Sequence, residues 1–464
     1  MENPNQNLHV LMVSLPYQGH MNPMLSFAKI LTSKGLKVTL ATTVVARSRL
    51  ANSTSNSDIE FEFFNDGLSL EADRGKNLGV LLECLPREGC RSLSGLISEQ
   101  RSKGKTFSCI IINCFVPWVA DVAADHGIPC ALLWVQACAL FAIYYRYHEG
   151  INEFPPLDNP SNVMKLPGLP LLQVENLPTF LLPSGPRHFY NVIASCIESL
   201  DKIQWIFGSS FLSLEQEIVH SMTDLKPICP IGPLVPSLLR QPQETTSGIT
   251  TNLWDTEDSC IQWLDTQPPS SVLYISFGSI TVLSQSETEA VAMALESTRI
   301  PFLWVMKKGD EGWARKEGEL PEGFVERTKE RGQFVSWCPQ YQVLMHSALA
   351  CFLTHCGWNS TLETVAAGVP VIAYPEWTDQ PTNAKLLVDV FETGVRMRRG
   401  EDGKLHKEEV ERCIWEVTRG PNALKMKEKA ADWKKAAKEA VDVGGSSYAE
   451  VESFIKAIGK KNME

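Results

Sequence analysis

The densest run of chemically capable side chains lies between Trp337 and Gln380, WCPQYQVLMHSALACFLTHCGWNSTLETVAAGVPVIAYPEWTDQ. Its middle reads as a buried strand, Ala350 to Leu353, then a turn, Thr354-His355-Cys356-Gly357. A helix follows, opened by Trp358-Asn359-Ser360-Thr361 and running through Glu363 to Ala367. Strand, glycine turn and polar helix start make an anion site, because the free N–H groups and the positive dipole end of a helix meet at one point. His355, Asn359 and Ser360 add side-chain donors there. An ordinary N-cap accounts for Asn or Ser singly; three donors together favour the anion. The next strand, Val371 to Tyr374, ends in Pro375-Glu376-Trp377-Thr378-Asp379-Gln380 at the same sheet edge. A carboxylate beside an amide suits vicinal hydroxyls, since each group can bridge two hydrogen bonds. Trp337 follows the short strand Phe334 to Ser336. An indole there can stack a base, worth ~1–3 kcal/mol in nucleotide systems, although a core tryptophan would look the same in isolation. Base, phosphate and sugar together point to a nucleotide sugar.

These residues need a scaffold, and alternating strands and helices supply it. Leu8 to Ser14 is an almost wholly apolar strand. The turn-rich Pro16-Tyr17-Gln18-Gly19-His20-Met21-Asn22-Pro23 follows, then a helix with Met24, Phe27, Ala28 and Leu31 at helical spacing, and a strand from Lys37 to Thr42. Such a strand–helix–strand unit with fully buried strands begins a parallel sheet. Cys109 to Asn113 is another buried strand. Pro155 to Pro183 is proline-rich and reads as an irregular flap. Ser237 to Asn252 is polar and aperiodic, and the boundary falls there. The expected domains are 1–240 and 253–445, with 241–252 as linker. After it the alternation restarts with Val272 to Phe277. The last helix carries Val451, Phe454, Ile455 and Ile458 on one face, a stripe that needs a docking surface. The architecture is α/β: two doubly wound halves, with ligands at the carboxyl ends of the strands.

Composition narrows the function classes. A length of 464 residues with 44% hydrophobic and 21% charged residues is that of a folded, multidomain chain. Lys and Arg number 43 against 54 Asp and Glu, a net charge of −11 that leaves no overall field for a polyanion, so nucleic acid is not an expected partner. The longest apolar run, Cys130 to Tyr145, is too short for a membrane span. MENPNQN has no positive region, and no signal peptide is expected. The 13 cysteines lack a C-x-x-C and read as reduced, mostly buried thiols of a cytosolic protein.

The window from Trp337 to Gln380, with its H-C-G-W-N-S-x-x-E core and terminal D-Q, resembles the signature of plant family 1 glycosyltransferases, which use UDP-sugars to glycosylate small molecules. Cys260 to Asp265 followed by Ser276-Phe277-Gly278-Ser279 is similar to that family's entry to the donor domain. Gln18 to Pro23 is similar to its N-terminal catalytic loop. The resemblance implies a GT-B fold of two Rossmann-like domains facing across a cleft, with the final helix, 446–464, packed back on the first. It implies that Trp337 stacks on uracil, that Gln340 lies near base and ribose, and that Glu363 binds the ribose hydroxyls. His355, Asn359, Ser360 and Ser279 would hold the pyrophosphate, and Trp358, Asp379 and Gln380 the hexose. Cys338 and Gly357 are counted with this donor site, and the terminal Gln380 resembles glucose-preferring members. UDP-glucose is then a substrate; no cofactor and no metal are expected, since D-x-D is absent. A monomer is expected.

His20 is the expected general base. Many family members carry Asp where this chain has Asn113. An amide oxygen can still orient the ring but cannot stabilise an imidazolium by charge. Asp121 could in principle substitute, although a surface carboxylate is the better reading. A weakened base suits acceptors that are already acidic, and Ile110 to Val135 looks like the branch that makes glucose esters and phenolic glucosides. The expected function is inverting O-glucosylation of a small plant aromatic, a phenol, flavonoid or carboxylic acid, with Phe115, Gln136, Cys138, Phe180 and Glu376 in the acceptor site. C-glucosylation of a polyphenol is the alternative. A catalytically weak UDP-sugar binder is another, motivated only by Asn113. A nicotinamide oxidoreductase is disfavoured, because neither half opens with G-x-G-x-x-G.

Overall fold

The computed structural model describes residues 7–47, 50, 58–72, 74, 78–235, 259–306 and 318–461. The expected linker, 241–252, lies outside them, as do residues 307–317. The chain divides into two compact units, one drawn from 1–174, 180–253 and 438–464, the other from 175–179 and 254–437. Among the described residues no helix is long and apolar enough to cross a membrane.

The first unit opens with β1 (His9–Val13), α1 (Gln18–Ser33), β2 (Lys37–Thr43), β3 (Ile59–Phe64), α2 (Leu78–Ser102), β4 (Cys109–Asn113), α3 (Val119–Asp125), β5 (Cys130–Trp134) and α4 (Cys138–His148). A short antiparallel pair, β6 (Val163–Met164) and β7 (Leu172–Gln173), gives the proline-rich segment more order than its composition predicts. Then come α5 (Arg187–Glu198), β8 (Trp205–Gly208), α6 (Gln216–Ser221) and β9 (Cys229–Pro230). The sheet order is β3-β2-β1-β4-β5-β8-β9, and every pairing is parallel. β1, β4 and β5 are buried at all of their residues, as strands covered by helices on both faces must be.

One boundary differs from expectation. Pro23 argued for a loop up to the proline, yet α1 begins at Gln18. The Tyr17 carbonyl accepts the N–H groups of both His20 (2.9 Å) and Met21 (2.8 Å), which closes the first turn ahead of the proline. Pro23 therefore sits in the second turn of the helix, and His20 in the first.

The second unit holds α7 (Ser259–Asp265), β10 (Val272–Ser276), α8 (Gln285–Thr298), β11 (Phe302–Val305), α9 (Phe324–Thr328), β12 (Gly332–Val335), α10 (Gln340–Leu344), β13 (Leu349–Thr354), α11 (Trp358–Ala367), β14 (Val371–Ala373), α12 (Gln380–Lys385), β15 (Gly394–Arg396), α13 (Lys407–Thr418) and α14 (Ala423–Val441). Its sheet order is β12-β11-β10-β13-β14-β15, again all parallel. One core cluster joins Leu273, Ile275, Phe302, Trp304 and Ile372 of the strands to Val291 and Leu295 of α8 and Val410 and Ile414 of α13.

The closing helix, α15 (Ser446–Lys461), belongs to the first unit. Phe454 packs against Phe27, Trp205 and Phe207, with ring centroids 6.4, 5.3 and 5.0 Å away. Val451, Ile455 and Ile458 are buried with it, at roughly 2 kcal/mol of transfer free energy for each such side chain. The Ser447 hydroxyl donates to the Gly232 carbonyl at 2.6 Å, and Lys34 pairs with Glu452 at 2.5 Å.

Candidate active site

In each sheet the strand order reverses between two neighbours, β1/β4 in the first unit and β10/β13 in the second. Open parallel sheets bind ligands at the carboxyl ends of such a pair. His20 follows β1 and Phe115 follows β4; Gly278 follows β10 and His355 follows β13.

In the second unit the His355 ring fills space that two glycines leave. A Cβ at Gly278 would lie 2.6 Å from the ring, and one at Gly357 would lie 2.5 Å from Nε2. Cys356, between His355 and Gly357, takes a left-handed φ of +64°. Gly357 then caps α11 without a side-chain bond, leaving the start of a ten-residue helix next to the His355 ring. Along the same helix, Gln340 Nε2 donates to Ser360 Oγ at 2.9 Å and to Glu363 Oε2 at 2.6 Å. Its Oε1 accepts the Tyr274 hydroxyl at 3.1 Å. Burial pushes the Glu363 carboxyl up to about 7, and the Gln340 bond only partly opposes it. Trp337 stands half-buried at the exit of β12. Cys338, counted with the donor site, has its thiol buried beside the Tyr274 hydroxyl at 3.3 Å.

The loop after β14 is closely held. Asp379 is buried, and its two oxygens accept from Thr378 Oγ1 (2.6 Å) and Asn383 Nδ2 (2.7 Å). Burial raises its carboxyl, and the Trp358 N–H at the start of α11 is among the donors that oppose the rise. Gln380 Oε1 accepts the N–H groups of Glu376 (2.9 Å) and Trp377 (3.2 Å), so this side chain folds its own loop while Nε2 reaches Thr281 Oγ1 at 3.3 Å. Glu376, expected near the acceptor, is paired with Arg399 at 2.9 Å. Arg399 also bonds Glu287 at 2.8 Å, and the Tyr374 hydroxyl donates to Glu287 at 2.5 Å. Burial disfavours the Glu287 charge, but these donors and the Ser284 cap outweigh it and hold its carboxyl down at about 2.

In the first unit the His20 ring packs on Phe115 at 4.4 Å and meets the edge of Tyr17 at 5.8 Å. Its Nδ1 is buried without a hydrogen-bond partner. Asn113 does not reach it: its Nδ2 donates to Ser14 Oγ at 2.9 Å, and its Oδ1 accepts the Phe115 N–H at 3.0 Å. The expectation that Asn113 orients the ring therefore fails in this geometry. Asp121 does not replace it, because it lies on the surface, paired with Lys202. Desolvation alone lowers His20 to about 4, and the positive end of α1 acts in the same direction.

The expected acceptor residues divide. Phe115 touches His20. Gln136 follows β5 at the same sheet edge, 8% exposed, with its Oε1 buried and unpartnered. Cys138 is a correction: it is fully buried in the first turn of α4, its sulfur 2.7 Å from where a Cβ on Gly208 would stand. Glu215 accepts the N–H groups of Cys138 (3.0 Å) and Ala139 (2.9 Å), which closes that helix end. Phe180 is 3% exposed and stacks on Phe189 at 4.8 Å, so it packs the flap.

Residues 254–428 match the family described as UDP-glucuronosyl and UDP-glucosyl transferases. The chain is 47% identical to UDP-glycosyltransferase 84B1 of Arabidopsis thaliana over 460 residues, 98% of each chain. The chain belongs to the UDP-glycosyltransferase family. It is 40% identical to gallate 1-beta-glucosyltransferase 84A24 of Punica granatum, over 98% of this chain and 90% of that one. Among solved structures, Os79 from O. sativa in complex with UDP is similar at a TM-score of 0.88 and 31% identity, covering 97% of this chain and all of that one. This glycosyltransferase thus has the GT-B type of fold, with two Rossmann-like units.

Several residues that shape the candidate site escaped sequence reasoning. Tyr274 lies mid-strand and reads as core, yet its hydroxyl sets the Gln340 amide. Ser14 reads as a strand end but occupies Asn113. Asn383 reads as a helix residue but holds Asp379. Gly278, two residues past the end of β10 in a Ser-Phe-Gly-Ser turn, carried a usable signal.

Proposed function

We propose that this enzyme transfers glucose from UDP-glucose chiefly to the carboxylate of a small aromatic acid, forming a 1-O-glucose ester, with phenols as slower acceptors. Among the described residues no carboxylate pairs with His20, whose Nδ1 is buried without a partner, and this supports the reading. An imidazole at about 4 is a poor proton acceptor for a phenol near ~10; complete transfer before attack would cost about 8 kcal/mol. A carboxylic acid is ionised at neutral pH and asks nothing of His20 but position. The Punica granatum relative, named for gallate, points to the same acceptor class.

In the proposed reaction an acceptor oxygen attacks the anomeric carbon and forms the new C–O bond. The bond from that carbon to the β-phosphate oxygen breaks, UDP takes the electron pair, and the configuration inverts. His355 and the first turn of α11 meet the developing phosphate charge. Glu363 and Gln340 hold the ribose, Trp337 the uracil, and Trp358, Asp379 and Gln380 the hexose. For a phenol, His20 also accepts the proton as attack proceeds. We further read the protein as a cytosolic monomer; its 13 free thiols fit a reducing compartment. The test is a panel of aromatic acids and phenols with UDP-glucose, products separated by mass and by lability to mild base. Base-stable phenolic glucosides as the main product from every acceptor would refute ester formation as the chief activity.

A further inference from the structure

The hexose loop contains a strained residue held by a segment 199 positions away in sequence. Thr378 has φ +60°, a left-handed conformation that a β-branched residue rarely adopts. Thr179 grips it from both sides: Thr179 Oγ1 accepts the Thr378 N–H at 2.8 Å, and the Thr179 N–H donates to the Thr378 carbonyl at 2.9 Å. A few residues earlier the Asn176 carbonyl accepts the Thr382 hydroxyl at 2.6 Å, with both residues buried. Residues 175–179 thereby join the second unit, although the chain on either side of them belongs to the first.

The grip has a consequence for the donor. Thr378 Oγ1 donates to Asp379 Oδ1, and the turn that Thr378 makes carries the chain into Gln380 at the head of α12. If Thr378 relaxed to a negative φ, the Asp379 and Gln380 side chains would be re-aimed together. We propose that Thr179 is a positioning residue for glucose recognition: its hydroxyl holds Thr378 in the left-handed conformation that aims Asp379 and Gln380 at the hexose. This rests on the donor-site reading above. It makes a segment of the flap, remote in sequence from the donor signature, a determinant of how strongly the sugar contributes to donor affinity.

The distinguishing measurement compares UDP-glucose with UDP, which lacks the hexose. Thr179→Val keeps the side-chain shape and leaves the Thr378 N–H without its acceptor. UDP-glucose affinity is expected to fall about tenfold, the usual order for an orphaned polar group. UDP affinity should stay within about twofold, since every contact assigned to UDP is untouched. Thr179→Ser should restore the wild-type value. Thr382→Val, which removes the other anchor of the segment, should shift UDP-glucose in the same direction and gives a second route if Thr179→Val folds poorly. Equal losses for UDP and UDP-glucose, an unchanged UDP-glucose affinity, or failure of Thr179→Ser to recover would each overturn the proposal. Failure of the donor-site reading looks different: Trp337→Ala and Glu363→Ala would then leave UDP binding unchanged as well.

Discussion

The side-chain amide of Asn113 donates to Ser14 at 2.9 Å and accepts from the Phe115 main chain at 3.0 Å, and neither bond involves His20, although Phe115 itself lies against the His20 ring. The strand-end position that could orient the base is engaged in fixing its own turn. On the reading proposed above, with His20 as the base, proton removal is the weak point of the site.

His20→Ala should separate the two acceptor classes. General-base help typically contributes ~10²–10⁴-fold, and phenol glucosylation should fall by about that range. With a carboxylic acid the loss should be much smaller and confined to positioning. Steady-state kcat/KM for one phenol and one aromatic acid decides it, and equal losses would remove His20 from the role of base.

Asn113→Asp should strengthen the base. The new carboxylate can still accept the Phe115 N–H, and the Ser14 hydroxyl, which now donates to the Leu15 carbonyl at 3.1 Å, can turn to donate to it. A negative charge near the ring raises the His20 proton affinity from its depressed value. The acid limb of the phenol pH–rate profile should move to higher pH and its plateau should rise, while ester formation should change little. A phenol profile superimposable on wild type would show that the charge does not reach the ring.

Glu363 should make donor binding pH-dependent. Its carboxyl in the free protein lies near about 7, above the ordinary 4.5. Below that value it is largely protonated and offers the ribose a poorer acceptor, so UDP-glucose affinity should fall between pH 8 and about 6. Calorimetric titration across this range should show the decline, and Glu363→Gln should abolish the pH dependence along with much of the affinity.

The same group sets a stability slope. A carboxyl whose folded pKa exceeds its unfolded one binds more protons in the native state, so its contribution is retained at low pH and lost as pH rises from about 4.5 through about 7. Glu363→Gln without ligand should therefore be more stable than wild type at pH 8, by about 1–3 kcal/mol. At pH 5 the two should differ little. Urea unfolding at both values tests this, and a Gln variant less stable at pH 8 would contradict it.

The alternation of apolar strands and amphipathic helices, with glycine turns at strand ends, was enough to place two doubly wound halves and the side chains at their carboxyl edges. Those are local properties: a buried strand needs an apolar run, and a helix start needs N–H groups and a turn, whatever packs around them. The turn of His355 and Gly357 ahead of a polar helix start and the unpaired face of α15 were both legible in this way. The partner chosen by each polar group was not. Asn113 could have bonded His20 or Ser14, and Cys138 could have faced a ligand or Gly208. The outcome depends on which atoms tertiary packing brings within about 3 Å. Thr179 is the extreme case, since nothing near it in sequence tells that its hydroxyl holds a turn beside Asp379. Hydrogen bonds are short and directional, so the chain could state which groups it offers, and only the folded units decided where each was used.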